Sequence, residues 1–457
     1  MLWDFRLLVK PLVLMQSHHE VFTFRFNRTN PNYVAGGCIT GQILLWEVNE
    51  TVNHALRKNN RGSAQASAVV DEDEDSNTAP LMPKYVSSVD HSHKKCVADL
   101  FWLPPSTQIN YRGQLVAEEH LDGVSHQFVT VAPDGLIMVW DTRFEKIYND
   151  ELRHIGRSKH VPTEKSSSKE GGHVKPLWAP IFKAHLKRLE GVGELSLCRV
   201  SETSNTINSS LCVGKPNTFP GDSRAQFIIA TEEGDLVFAD LSARKTVASQ
   251  KEEEDEEDNE VSCVKWITID HARPAVYMQE SPFFPQIILT VSDWSFHIWK
   301  LGEDQPLFVS PLSTAYLTAA AWSTTRPAVF FIATADGQIL VWDFTDSGFR
   351  PSIELKATHS KITSMELLAA QGGARFQMMA VGDEAGTLHI FEMPRNLTKP
   401  VHREEVVMLK FLERELQVRW HGYKLHTKQS HIHLHINVYS HTYTYTCTYT
   451  HAYTYTY

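Results

Sequence analysis

The chain has 457 residues, 42% of them apolar, enough to bury a large core as one big domain or two ordinary ones. A formal net charge of −10 with no clustered basic face argues against nucleic acid, and no apolar run approaches the ~18 residues of a membrane span. The six cysteines, Cys38, Cys96, Cys198, Cys212, Cys263 and Cys447, form no CxxC pair, which fits reduced thiols in a soluble, cytoplasmic protein.

The first fifteen residues are interrupted by charges and Pro11 and make a poor signal peptide. Leu2-Trp3-Asp4-Phe5 is repeated much later as Val341-Trp342-Asp343-Phe344. The start therefore reads as the tail of a unit whose first three strands are missing, with Leu7 to Met15 as its outer strand. Next comes Thr40-Gly41-Gln-Ile-Leu-Leu-Trp46, a turn followed by a short apolar run ending on an aromatic residue.

The same pattern returns at Asp134-Gly135 to Trp140, Glu233-Gly234 to Ala239, Asp293-Trp294 to Trp299, Asp336-Gly337 to Trp342 and Ala385-Gly386 to Phe391. Each copy follows another apolar run, so each reads as a β-hairpin. Internal repetition of this kind sets the whole architecture. The spacings from Trp299 to Trp342 and on to Phe391 lie near the ~40–45 residues of a propeller blade. Further strand candidates at 306–309, 317–322, 353–357 and 362–368 bring each unit to four strands.

Trp3, Trp46, Trp140, Trp299, Trp342 and Phe391 are the repeat anchors. In the second unit His93, Thr130, Asp134 and Trp140 are spaced to form a buried polar network between strands. A Ser/His/Asp-type hydrolase would need a nucleophile on a strained elbow, and Thr130 has none. No phosphate loop, HExxH, GxSxG or zinc-spaced Cys/His set is present, so no catalytic residue, cofactor or metal is assigned.

Four insertions interrupt the units: 49–82 and 142–175 between third and fourth strands, 200–225 between first and second, and the acidic run 251–260. The acidic run is placed after an outer strand at Thr246 to Gln250, hence on the opposite rim from the others. Residues 396–420 read as an amphipathic helix, with Leu409, Leu412, Leu416 and Trp420 on one helical face. It reads as a cap on the ring, with docking of a partner as the sharper option. Residues 421–457 collapse into His, Thr and Tyr, as a dinucleotide repeat read in frame would give, and are expected to be disordered. His431, His433 and His435 there offer at most an adventitious metal site.

The expected fold is all-β: a WD-repeat β-propeller over 1–395 with six recognisable blades and a partial seventh, an incomplete seven-bladed ring. Several copies also resemble the dynein intermediate chains. These are Asn30-Pro31-Asn32 through Trp46, Ser292-Asp293-Trp294 through Trp299, Trp322-Ser323-Thr-Thr-Arg326-Pro327 with its Asp336-Gly337 turn, and Val381-Gly382-Asp383-Glu384-Ala-Gly386. Divergent blades and long acidic loops look axonemal, most like an inner-arm chain.

The resemblance implies a non-catalytic scaffold in the axoneme of a cilium or flagellum. Its partners would be dynein heavy chain, other intermediate and light chains and, indirectly, axonemal microtubules, without nucleic acid or membrane. The family's light-chain-binding N-terminal extension has no counterpart in this sequence. The alternatives are a WD-repeat adaptor in another cytoskeletal complex, for example an actin-regulating one, and an enzyme working in the central channel.

Overall fold

In the computed structural model the described residues are 2, 11, 13–27, 29–48, 80–155, 162, 176–188, 193–202, 213, 225–241, 263–269, 273–368 and 377–418. Trp3, the residues 421–457 and most of the insertions expected above lie outside them.

Strand β1 (Leu14–Met15) pairs in parallel with β5 (Pro80–Leu81). The first sheet is β2 (Val21–Phe26), β3 (Tyr33–Cys38), β4 (Ile43–Glu47) and β6 (Tyr85–Val86). The second contains β7 (Asp99–Trp102), β8 (Gln127–Val131), β9 (Leu136–Asp141) and β10 (Phe182–His185), with helix α1 (Phe144–Ile155) between its last two strands.

The third sheet is β11 (Leu197–Glu202), β12 (Gln226–Thr231), β13 (Asp235–Asp240) and β14 (Val264–Ile269), and the fourth β15 (Tyr277–Glu280), β16 (Ile287–Val291), β17 (Phe296–Lys300) and β18 (Phe308–Val309). The fifth is β19 (Leu317–Trp322), β20 (Val329–Thr334), β21 (Gln338–Asp343) and β22 (Ile353–Lys356). The sixth has three strands, β23 (Ile362–Leu367), β24 (Met378–Asp383) and β25 (Leu388–Glu392). In place of one helix over 396–420, helix α2 (Arg395–Thr398) and a longer helix α3, residues 404–418, follow, separated by a non-helical stretch at 399–403.

These are six blades in a propeller ring. Strands such as β8, β12, β16 and β20 are buried at every position, because both faces of an inner strand meet a neighbouring sheet. Their sequences are correspondingly continuous apolar runs. First strands of consecutive sheets pack side by side, β2 on β7, β7 on β11, β11 on β15, β15 on β19 and β19 on β23, and so line the axis. Each of the five junctions between consecutive sheets has its own apolar cluster. Successive junctions repeat one solution, as stacked repeats do.

The hairpin turns form because glycine accepts the left-handed backbone they need: Gly41, Gly135, Gly234, Gly337 and Gly386 all have φ between 75° and 95°. At Gly337 a side chain would also place its Cβ 2.2 Å from the Thr358 carbonyl oxygen, whereas Gly386 has nothing within 4 Å. Gly337→Ala should therefore cost clearly more than the ~1–3 kcal/mol of backbone strain, and Gly386→Ala only that strain. Comparing urea-unfolding midpoints of the two variants tests this, and equal losses would contradict it.

Two expectations need correction. The outer strand of the third sheet is Val264–Ile269, not Thr246 to Gln250. The acidic run 251–260 therefore precedes that strand, between Asp240 and Val264, and joins the sheet at the same end as the other insertions. The physical reason is sequence: Val-Lys-Trp-Ile-Thr-Ile is a stronger strand former than Thr-Val-Ala-Ser-Gln. Also, β11 runs through Glu202, so the insertion expected from 200 starts later.

Candidate partner-binding surfaces

Adjacent strands alternate in direction. Connections from first to second and from third to fourth strands therefore leave at one end of the ring, here the insertion rim. The tight hairpin turns and the links between sheets lie at the other end, the turn rim.

In the second sheet the turn rim is stitched by side chains. The Trp140 indole donates to the Thr130 hydroxyl at 2.9 Å, and Thr130 meets His93 Nε2 at 2.8 Å. His93 Nδ1 lies 3.1 Å from Asp134, which also accepts the Lys94 and Leu136 amides. With Nδ1–H donating to Asp134, one continuous relay runs from indole to carboxylate, joining the link before β7 to the turn after β8. All four residues singled out from the sequence thus meet.

Burial alone would push the Asp134 carboxyl up, but the hydrogen bond from His93, with the two amides, holds it below the usual carboxylate value. His93 and Trp140 are buried, which suits a brace and leaves a substrate no access to them.

The other anchors vary. Trp299 donates to Thr290 at 2.8 Å, and Trp46 to the Gln16 carbonyl at 3.1 Å. Trp46 has no hydroxyl to meet because Gly36 stands there, and a Cβ on Gly36 would sit 2.7 Å from the Trp46 ring. Trp342 lies opposite Phe330, next to Ile332 rather than a threonine, and its indole N–H has no partner among the described residues. Phe391 carries no donor at all.

The sixth sheet uses a different brace, which sequence reasoning missed. Asp383 accepts hydrogen bonds from the Thr358 and Ser360 hydroxyls, both at 2.8 Å, from the Thr387 amide and from His389. The Thr387 amide first, then the Ser360 and Thr358 hydroxyls, hold its carboxyl far below the ordinary range. A carboxylate depressed by folding stabilises above its unfolded pKa near 4 and loses that contribution as pH falls through its folded value. The Tm deficit of Asp383→Asn should therefore be full at pH 7 and shrink as the pH drops below about 4. A deficit independent of pH would contradict this.

On the turn rim one position departs from the rule of glycine. Trp294 occupies a hairpin turn, 37% exposed, with its ring 4.2 Å from that of the half-exposed Tyr316 on the link to the fifth sheet. The Ser313 amide donates to the Trp294 carbonyl at 2.8 Å and holds the two segments together, with Leu312 79% exposed beside them. Rigid exposed aromatics of this kind anchor protein interfaces. They are the residues to test first on this rim.

On the insertion rim, α3 is clamped to the ring. Arg326, 3% exposed, directs Nε to both oxygens of Glu404, at 3.0 and 3.1 Å, and Nη1 to Asp343 at 2.9 Å and the Asn396 carbonyl at 2.7 Å. Glu404 also accepts the Ala328 and Val401 amides. Met408 and Leu412 are buried in the cluster between the fourth and fifth sheets, with Leu409, Phe411 and Leu416 against it. Phe411 stacks on Phe344 at 4.7 Å. The apolar face of the helix is thus turned to its own ring, while Val406, Lys410, Arg414 and Val418 face outward. Trp420 lies outside the described residues.

No group of three or more His, Cys, Asp or Glu among the described residues is arranged to hold a metal ion.

Comparison with known proteins places this architecture. A family model, "Dynein axonemal intermediate chain 3 WD40 domain", matches residues 1–219 and 211–393. Human dynein axonemal intermediate chain 3 is 27% identical over 453 residues, covering 91% of this chain and 49% of the human protein. Its zebrafish (Danio rerio) counterpart is 28% identical over 401 residues, covering 81% of this chain and 39% of the relative. A "Dynein intermediate chain 3, ciliary" from Heliocidaris crassispina is 23% identical over 419 residues, covering 91% of this chain and 51% of the relative. The chain thus spans about half the length of the relatives it matches. Because the family model runs through all six sheets, this chain belongs to the family of the dynein axonemal intermediate chain 3 WD40 domain.

Proposed function

We propose that this chain is a non-catalytic scaffold subunit of an axonemal dynein arm, binding dynein heavy chain and other arm subunits in a cilium or flagellum. The observation that carries the reading is the family match across the whole ring, since relatives of that name are axonemal dynein intermediate chains. The surfaces suit the role. A braced ring presents exposed aromatics at one rim and the attachment points of long connections at the other. The polar network of His93, Thr130, Asp134 and Trp140 serves as an internal brace.

An adaptor for an actin-regulating complex would use the same architecture, so partners must decide between the two readings. A tagged form of the chain, extracted with salt from axonemes and sedimented, should travel with dynein heavy chain in one particle. Sedimentation apart from heavy chain, or with actin-associated proteins alone, would overturn the proposal.

A further inference from the structure

The flank between the fourth and fifth sheets is incompletely covered. Strand β18 has only two residues, after which Ser310-Pro311 turns the chain away toward Trp294. What remains is a cleft of about 270 Å³ with Phe296, Ile332, Leu340 and Trp342 inside and Leu312, Ala315 and Phe349 among its walls. Leu312 and Phe349 are 79% and 70% exposed, an apolar lip that water does not favour. The volume is below the ~300–1,000 Å³ of small-molecule sites but suits a side chain of a peptide.

Beside the cleft runs β22, the last strand of its sheet, exposed at all four residues and paired only with β21 among the described residues. Side chains alternate across a strand, so Glu354, opposite Leu340, is on the cleft side of β22 and lines the cleft. Glu354 forms no ion pair among the described residues; Asp336 and Arg350 also line the cleft, and the Lys356 ammonium donates to the Asp336 carbonyl rather than to Glu354.

We infer that β22 and this cleft bind an extended peptide segment of a partner protein by strand addition. The segment adds to the free edge of β22, placing one bulky apolar side chain in the cleft and a lysine or arginine against Glu354. Both side chains must lie on the same face of the added strand, so they stand two residues apart. Backbone pairing supplies the general attraction, and the cleft with its carboxylate supplies the selection. The site and its peptide chemistry do not depend on which assembly the chain serves.

A phage-displayed library of linear peptides, selected against the full chain, tests it. Enriched peptides should carry a bulky apolar residue and a basic residue two positions apart. Ala315→Trp, which fills the cleft, should weaken their binding about tenfold or more. Glu354→Lys, a change at an exposed position that leaves the fold intact, should shift the selected preference from basic to acidic residues. Failure to enrich any such pattern, or equal binding to the wild-type chain and both variants, would overturn the inference.

Discussion

Replacing Arg326 by methionine is expected to lower Tm by about 4–6 °C and to expose the segment before α3 to protease. The variant leaves Glu404 and Asp343 without their cation, both buried, and uncompensated buried charge costs about 3–5 kcal/mol. Glu404→Gln should cost less, because Arg326 keeps Asp343 and the Asn396 carbonyl. The combination Arg326→Met with Glu404→Leu should recover part of the loss, since removing both members of a buried pair is often nearly neutral. Differential scanning calorimetry with limited trypsin digestion reads both effects. An unchanged Tm, or a helix as resistant as in the parent, would mean that α3 is held by its apolar face alone.

The second large effect is expected in the second sheet. Trp140 is fully buried, 5.3 Å from Trp178 and 6.5 Å from Phe128 between ring centres. Trp140→Ala removes that packing and should cost about 3–5 kcal/mol. Trp140→Phe keeps most of the volume but strands the Thr130 hydroxyl without its donor, at about 1–3 kcal/mol. The order of the two losses separates packing from hydrogen bonding, and chemical denaturation at neutral pH measures it. Equal losses would assign the whole role of Trp140 to the hydrogen bond.

Much of the fold is written locally. Asp-Gly and related turns force a left-handed residue, and the runs around them are β-branched or aromatic, so five glycine turns and their flanking strands can be read directly. The polar network of the second sheet was equally legible, because its members keep regular spacing. Other features depend on contacts distant in sequence. Arg326 and Glu404 are 78 residues apart, and nothing in the spacing links a loop arginine to the first turn of a later helix. Asp383 draws on Thr358 and Ser360, hydroxyls that a search for histidine passes over. The third sheet misled for another reason. The outer strand expected at Thr246 to Gln250 is Val264–Ile269 instead, so the acidic run lies before that strand and on the other rim.

The two ends of the ring also differ from its interior. Phe22, Phe24 and Phe26 on β2 are exposed, as are Met378, Leu388 and Ile390 on the sixth sheet. No apolar cluster joins the first and sixth sheets among the described residues. One further sheet between them would bury both faces.

Membership of a dynein arm is tested most directly in the axoneme itself. Cryo-electron tomography of cilia from cells lacking this chain should show one class of dynein arm missing or reduced, with a weakened beat. Axonemes with every arm complete and a normal beat would contradict a scaffolding role.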